Sequence, residues 1–368
     1  MLCNWTAAVL AALTEEELRR TAEFWGDEHR AALCQGGGVR WDRLERVQRR
    51  VNEKISGAPD VDWIDYVKAT YLSGRAPVER CLSLCCWQGE LERELARRGV
   101  FRWCVAYDIS EPALARAREK AAEEGINNVE FVCQDVNTMV LAEKEFDLIV
   151  AKGALHHIAN LEGALEQINR GLKDDGILVA LEYVGPNRFN YPPRQLEIAT
   201  CALRLLPEQF RQSVTWRLQG RAGLAVSRRS AGAWMRLLWL KLKNKGVLEA
   251  VSRRLYHAWL RKTGRPLVKT CVPRIVGSEM AIDDPTEAIR SADVVPLIEQ
   301  KLRLIEYKPL GGTLLMPVLH DIAGNFEAGA PAADQLLDML FAIEDALMAA
   351  GEIGSDFAFI VAGKRCEG

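Results

Sequence analysis

The stretch Leu82-Ser83-Leu84-Cys85-Cys86-Trp87-Gln88-Gly89-Glu90-Leu91 decides the fold. An apolar run, Arg80 to Leu84, stops at a turn and hands over at Gly89 to a helix that runs to Arg98. Nineteen residues beyond Gly89 a second apolar run, Arg102 to Tyr107, ends on an acid, Asp108. Outward from there the alternation persists. Glu111 to Glu124 reads as a helix, Val129 to Cys133 and Phe146 to Ala151 as strands, and Leu161 to Leu172 as a helix stopped by Asp174-Asp175-Gly176. Ile177 to Tyr183 is a fifth strand. Strands alternating with helices at this spacing predict a parallel α/β sheet, with ligands at the carboxyl ends of the strands. Further on, Asp293 to Lys301 reads as a helix and Leu302 to Tyr307 as a strand. Thr313 to Phe326 and Ala332 to Ala350 have helical periodicity, and Asp356 to Gly363 is a last strand.

The chain has 368 residues and a 49% hydrophobic fraction, enough for a full core and too apolar for a disordered or fibrous chain. It divides into a helical extension or lid (1–77), a strand–helix core (78–189), a basic helical insertion (190–274) and a segment that completes the core with extra helices (275–368). Thr14-Glu15-Glu16-Glu17 supplies an N-cap and acids for a first helix, and Trp41 to Ile55 has helical spacing. The ten cysteines form no Cys-x-x-Cys pair and no zinc spacing, so they read as thiols in a reducing compartment and no metal is expected. No basic leader and no long uncharged apolar run is present, which predicts a cytoplasmic protein.

A turn after the first strand, together with an acid closing the second, is the geometry for gripping an adenosine ribose. The carboxylate of Asp108 accepts from the ribose hydroxyls while the turn lies along the rest of the ligand. Asp135, after the third strand in Cys133-Gln134-Asp135-Val136, is placed to reach the adenine amino group. Asn190-Tyr191-Pro192-Pro193 has the composition of the tetrapeptide of amino-methylating nucleic-acid enzymes, but in the wrong order and place.

With those residues in view, the chain resembles the class I S-adenosylmethionine-dependent methyltransferases, and within them bacterial members linked to polysaccharide assembly. The resemblance runs through Phe146-Asp147-Leu148-Ile149-Val150-Ala151-Lys152-Gly153-Ala154-Leu155-His156-His157-Ile158, then Leu172 to Leu178 and Glu182 to Phe189. It extends to Ile55 to Val67, Gly311 to Leu315 and Ile322 to Phe326, leaving out about 190 to 274. It implies a Rossmann-like, seven-stranded, mostly parallel sheet with helices on both faces, an N-terminal helical extension and a helical insertion after the fifth strand. It implies S-adenosyl-L-methionine as cofactor, held by Leu84, Cys85, Cys86, Trp87, Gly89, Asp108, Ile109, Gln134, Asp135, Val136 and Ala151. His157 and His156, with Glu182, Tyr183 and His320, are the candidate catalytic or acceptor-positioning residues. The family's first turn carries three glycines, and here Cys85 and Trp87 stand in two of those places. A tolerated variant, a reshaped ligand site and a catalytically silent scaffold all accommodate that exchange. His29 is a further lid candidate.

The net charge of -2 hides an asymmetry. Between Arg204 and Arg274 there are seventeen cations against Glu208 and Glu249, an excess of +15, so the remainder of the chain carries -17. Trp234 to Lys243 and Val251 to Leu260 mix aromatic, apolar and basic residues at helical spacing. Such a segment, centred on 219–265, suits an anionic membrane surface, a peripheral position at the inner membrane face, or a lipid-linked, glycan-type or small-molecule acceptor. Without a nucleic-acid-binding module, nucleic acid is the weakest of the partners it could attract.

Overall fold

The computed structural model describes residues 13–26, 40–217, 247–274, 284–327 and 331–365. Seven strands form one open sheet: β1 (Val78–Leu84), β2 (Phe101–Asp108), β3 (Val129–Cys133), β4 (Phe146–Lys152), β5 (Leu172–Tyr183), β6 (Arg303–Gly311) and β7 (Phe357–Gly363). Their order is β3-β2-β1-β4-β5-β7-β6. The first five are mutually parallel, and β7 runs antiparallel to both β5 and β6. The strand order reverses between β1 and β4, so the crevice at their carboxyl ends is the natural ligand position.

The register follows from residues that alternate between two apolar layers. Leu82, Ile149, Ala151, Leu178 and Ile360 face α6 (Leu161–Gly171) and α9 (Val294–Lys301). Cys81, Leu148, Val150, Val179 and Phe359 face the opposite layer. There they meet α2 (Glu45–Ser56), α3 (Trp63–Thr70) and α4 (Glu90–Arg97). A strand apolar at every position must be covered on both sides, and these strands are.

α5 (Glu111–Glu123) packs on β3 through Leu114, Ala117 and Phe131. α7 (Pro193–Leu205), α10 (Leu315–Leu319) and α11 (Pro331–Ala349) form a second core with α2, built from Leu44, Val47, Leu203, Val318, Leu340 and their neighbours. The N-terminal, inserted and C-terminal segments thus share one helical layer. Among the described residues of the N-terminal segment, α1 (Glu15–Gly26) lies against the carboxyl edge of the sheet, while α2 and α3 belong to the core. At the start of α1, the Thr14 hydroxyl accepts from the Glu17 amide and the Glu17 carboxylate accepts from the Thr14 amide, as expected of a capping box.

Several boundaries differ from the sequence reading, among them the end of β6, which runs on to Gly311 rather than stopping at Tyr307. β5 begins at Leu172 rather than Ile177, since Leu172 pairs with Phe146 and Lys173 reaches the Asp147 carboxylate. The apolar run Thr313 to Phe326 is not one helix. It stops at Leu319, where Asp321 takes a left-handed φ of 65° and its carboxylate accepts from Ser213 and Thr215. Trp41 to Arg43 is a short 3-10 turn, and the helix proper starts at Glu45. Of the insertion, α7 and α8 (Val247–Thr263) are helices, and the segments that follow them meet at a bridge between Gln212 and Val268. Trp234 to Lys243 and His29 lie outside the described residues. No helix among the described residues is long and apolar enough to cross a membrane.

Candidate functional site

The turn after β1 keeps a glycine-like path without its glycines. Cys85 and Trp87 have φ of 55° and 48°, followed by Gly89 at 68°. Each left-handed residue with a Cβ costs roughly 1–2 kcal/mol, so the surrounding contacts must hold it. They do: the Trp87 amide donates to Asp108 Oδ2 at 2.8 Å and the Cys86 amide to the Tyr107 carbonyl at 2.9 Å. Gly89 is a different case, because a Cβ there would lie 2.6 Å from the Phe131 ring.

Asp108 ends β2 and is buried. Its other oxygen accepts from the Ser110 amide at 2.8 Å. Burial pushes its carboxyl above the usual range, opposed by the Ser110 and Trp87 amides and by His157 nearby. Gln134 donates its amide to the Asp108 carbonyl, fixing the β3 end against β2. Asp135 is used locally: its Oδ1 accepts from the Asn137 amide and side chain at 2.9 and 2.8 Å. Leu84 and Ala151 pair across β1 and β4, and Val136 packs in the same cluster. Ile109 offers its carbonyl to the Cys133 thiol. These elements form one floor.

At the β4 and β5 ends, Glu182 organises a second group. Its Oε1 accepts from the amides of Ala154 and Leu155 at 2.8 and 2.9 Å, and its Oε2 accepts from His156 Nδ1 at 2.7 Å. His157 Nδ1 meets Thr286 Oγ1 at 3.1 Å, and that hydroxyl donates to Asp284 at 2.7 Å. A hydroxyl that donates to a carboxylate must accept from the ring. Both imidazoles therefore carry their proton on Nδ1. Burial pulls His156 down, but Glu182, Glu287 and Asp284 more than offset this and leave it above the ordinary histidine value. Burial and the neighbouring His156 lower His157.

The two groups meet under α1. Trp25 donates its indole N–H to Asp284 at 3.1 Å, and Trp87 donates its own to the Trp25 carbonyl at 3.0 Å. The Trp25 ring lies edge-on to Trp87 at 6.2 Å and to His157 at 5.7 Å. Ser110 and Arg116 donate to the carbonyls of Ala22 and Gly26, completing the helix end.

Glu182, His156 and His157 thus come together, but two other predicted residues are occupied elsewhere. The buried Tyr183 hydroxyl donates to the Pro186 carbonyl at 3.1 Å, and burial raises its pKa. His320 is exposed at the end of α10, where Lys269 donates to its carbonyl, and has no bond to the Glu182 group among the described residues. Sequence reasoning missed Trp25, Asp284, Thr286 and Glu287. One ligand atom each from His156, His157 and Glu287 lie within 4.8 Å of one another. The only signal in the chain was the acid and hydroxyl cluster Asp283-Asp284-Pro285-Thr286-Glu287.

Residues 82–180 match the family described as "Methyltransferase domain". A ubiquinone/menaquinone biosynthesis C-methyltransferase UbiE of Hydrogenovibrio crunogenus is 32% identical over 117 residues, covering 31% of this chain and 46% of that protein. A 2-phytyl-1,4-naphtoquinone methyltransferase of Nostoc is 26% identical over 153 residues, 41% of this chain and 66% of that protein. The chain thus spans between about half and two thirds of the length of these curated relatives. A solved S-adenosylmethionine-dependent methyltransferase from Clostridium acetobutylicum aligns at 24% identity and a TM-score of 0.30, over 39% of this chain and 62% of that one.

Proposed function

We propose that the chain, whose residues 82–180 match a methyltransferase domain, transfers a methyl group from S-adenosylmethionine to a small-molecule acceptor. The carrying observation is the bond from the Trp87 amide to Asp108. It ties the turn after β1 to the acid closing β2, next to the β1–β4 crevice where the strand order reverses. The residues fit the cofactor. A carboxylate has about four lone-pair positions, and the two amides leave Asp108 two for ribose hydroxyls. When bound, the cofactor supplies a methyl group on a positively charged sulfur, which an acceptor nucleophile takes in line. The turn 84–89 would hold its amino-acid end. The part left to the protein is alignment and exclusion of water, which Trp25, His156 on Glu182 and His157 on Thr286 are positioned to perform.

The finer reading is a lipophilic or lipid-linked acceptor, presented at an anionic surface. The relatives above are named for quinone substrates. α8 exposes Leu255, Tyr256 and Trp259 at 67%, 48% and 45%, with Arg265 lying 5.2 Å over the Trp259 ring. An apolar stripe with cations at its rim suits a headgroup boundary. Co-sedimentation with phosphatidylglycerol vesicles at low salt is expected, and Trp259→Ala should reduce it. Equal behaviour toward neutral vesicles removes this reading.

Calorimetric titration with S-adenosylmethionine, followed by labelled methyl transfer to quinol and lipid-linked acceptors, tests the function. Trp87→Gly keeps the left-handed path without a Cβ and clears an indole from the floor, so binding is expected to tighten at least tenfold. Unchanged affinity would mean that the indole stands clear of the ligand. A natural chain that binds nothing, beside a Trp87→Gly variant that does, would identify a silent scaffold.

A further inference from the structure

We propose that His156, His157 and Glu287 form a binding site for one divalent transition-metal cation of the zinc class, seated beside Trp25 under α1. The chemistry of the set is the first reason. Two imidazoles and one carboxylate are a common protein set for such a cation, with remaining positions left to water or to an oxygen of a ligand. The atoms are near the needed geometry. His156 Nε2 lies 3.7 Å from Glu287 Oε1, too far for a hydrogen bond. Two ligands at about 2.0–2.1 Å from a tetrahedral cation stand roughly 3.3 Å apart, so the pair needs to close by only a few tenths of an ångström.

The second reason is the support behind the ligands. Histidines that bind metals hold their other ring nitrogen on a carboxylate, carbonyl or hydroxyl, which orients the ring and frees Nε2. Here His156 Nδ1 is on Glu182, itself fixed by two backbone amides, and His157 Nδ1 is on Thr286, fixed by Asp284. The segment bearing Glu287 is laced to the same turn. Arg290 donates its side chain to the Ala159 carbonyl and to Glu162 and Asp293, and the Arg188 amide donates to the Ala288 carbonyl at 2.6 Å. The site is built in advance. Its failure leaves the reading of the domain untouched.

The test uses the full chain stripped with a chelator and titrated with Zn2+ or Co2+ alone. Zn2+ should bind at one equivalent by calorimetry. Co2+ should give visible ligand-field bands without a thiolate charge-transfer band, and should quench tryptophan fluorescence, since the Trp25 ring is 5.7 Å from His157. Glu287→Gln should weaken binding at least tenfold, and Thr286→Val about tenfold, in the range for a lost supporting bond. Trp25→Phe should keep the affinity and lose most of the quenching. No saturable binding, a thiolate band that assigns the cation to cysteines, or full affinity in both Glu287→Gln and Thr286→Val would overturn the site. Should Glu287→Gln fail to fold, the Thr286→Val titration and the cobalt spectrum decide.

Discussion

Asp108→Ala is expected to weaken S-adenosylmethionine binding at least a thousandfold, a loss of about 4 kcal/mol. The size follows from what the carboxylate would do there. Hydrogen bonds to a charged acceptor contribute about 1.5–3 kcal/mol each, and a ribose presents two hydroxyls to it. The same oxygens accept from the Trp87 and Ser110 amides, so the alanine variant also loosens the turn. Asp108→Asn separates these effects. Its remaining oxygen can hold one amide, and its amino group cannot accept from ribose. The expected loss with asparagine is about a hundredfold, with a thermal midpoint closer to the natural one than that of alanine. Binding within tenfold of the natural chain in both variants would remove Asp108 from the cofactor site.

The natural chain is expected to lose stability between pH 4.5 and 7, and Glu92→Gln should abolish that fall. Glu92 is fully buried on α4, and burial pushes its carboxyl up to about 7 from 4.5, partly countered by the hydrogen bond from the Ser83 hydroxyl. Its Oε2 has no hydrogen-bond partner among the described residues. An acid whose folded pKa is raised binds a proton in the folded state that the unfolded chain has released. Its stabilising contribution is complete below about 4.5, shrinks through the window and is gone above about 7. At 1.36 kcal/mol for each pH unit the difference is about 3 kcal/mol. Glutamine resembles the protonated form, so the two chains should unfold alike in denaturant at pH 4.5. The variant should be the more stable at pH 8. Parallel curves from pH 4.5 to 8 would show that Glu92 is not held protonated.

The five parallel strands and the residues at their ends were legible because their signals are local. Apolar runs of five to seven residues, broken by turn chemistry and separated by helical spacing, predict buried strands wherever they occur. The pairing of a turn with an acid nineteen residues later is also a short-range pattern, which brought Asp108 into view. The roof of the site was not legible. Trp25 meets Asp284 across 259 positions, and His157 meets Thr286 across 129. No periodicity reports such a contact, and hydrogen bonds between distant side chains leave no mark on either flanking sequence. The break in the run Thr313 to Phe326 escaped for the same reason, since Asp321 leaves the helix to serve Ser213 and Thr215. The polar Lys173 to Gly176 concealed the first turn's worth of β5, whose pairing depends on Phe146.

The three left-handed positions after β1 are unequal in what they permit. At 85 and 87 the chain already bears side chains on a left-handed path, so glycine there relieves strain and opens the mouth of the crevice one residue at a time. At 89 the aromatic ring of Phe131 forecloses every choice but one. An engineer who wants a different ligand here has two adjustable screws and one fixed rivet.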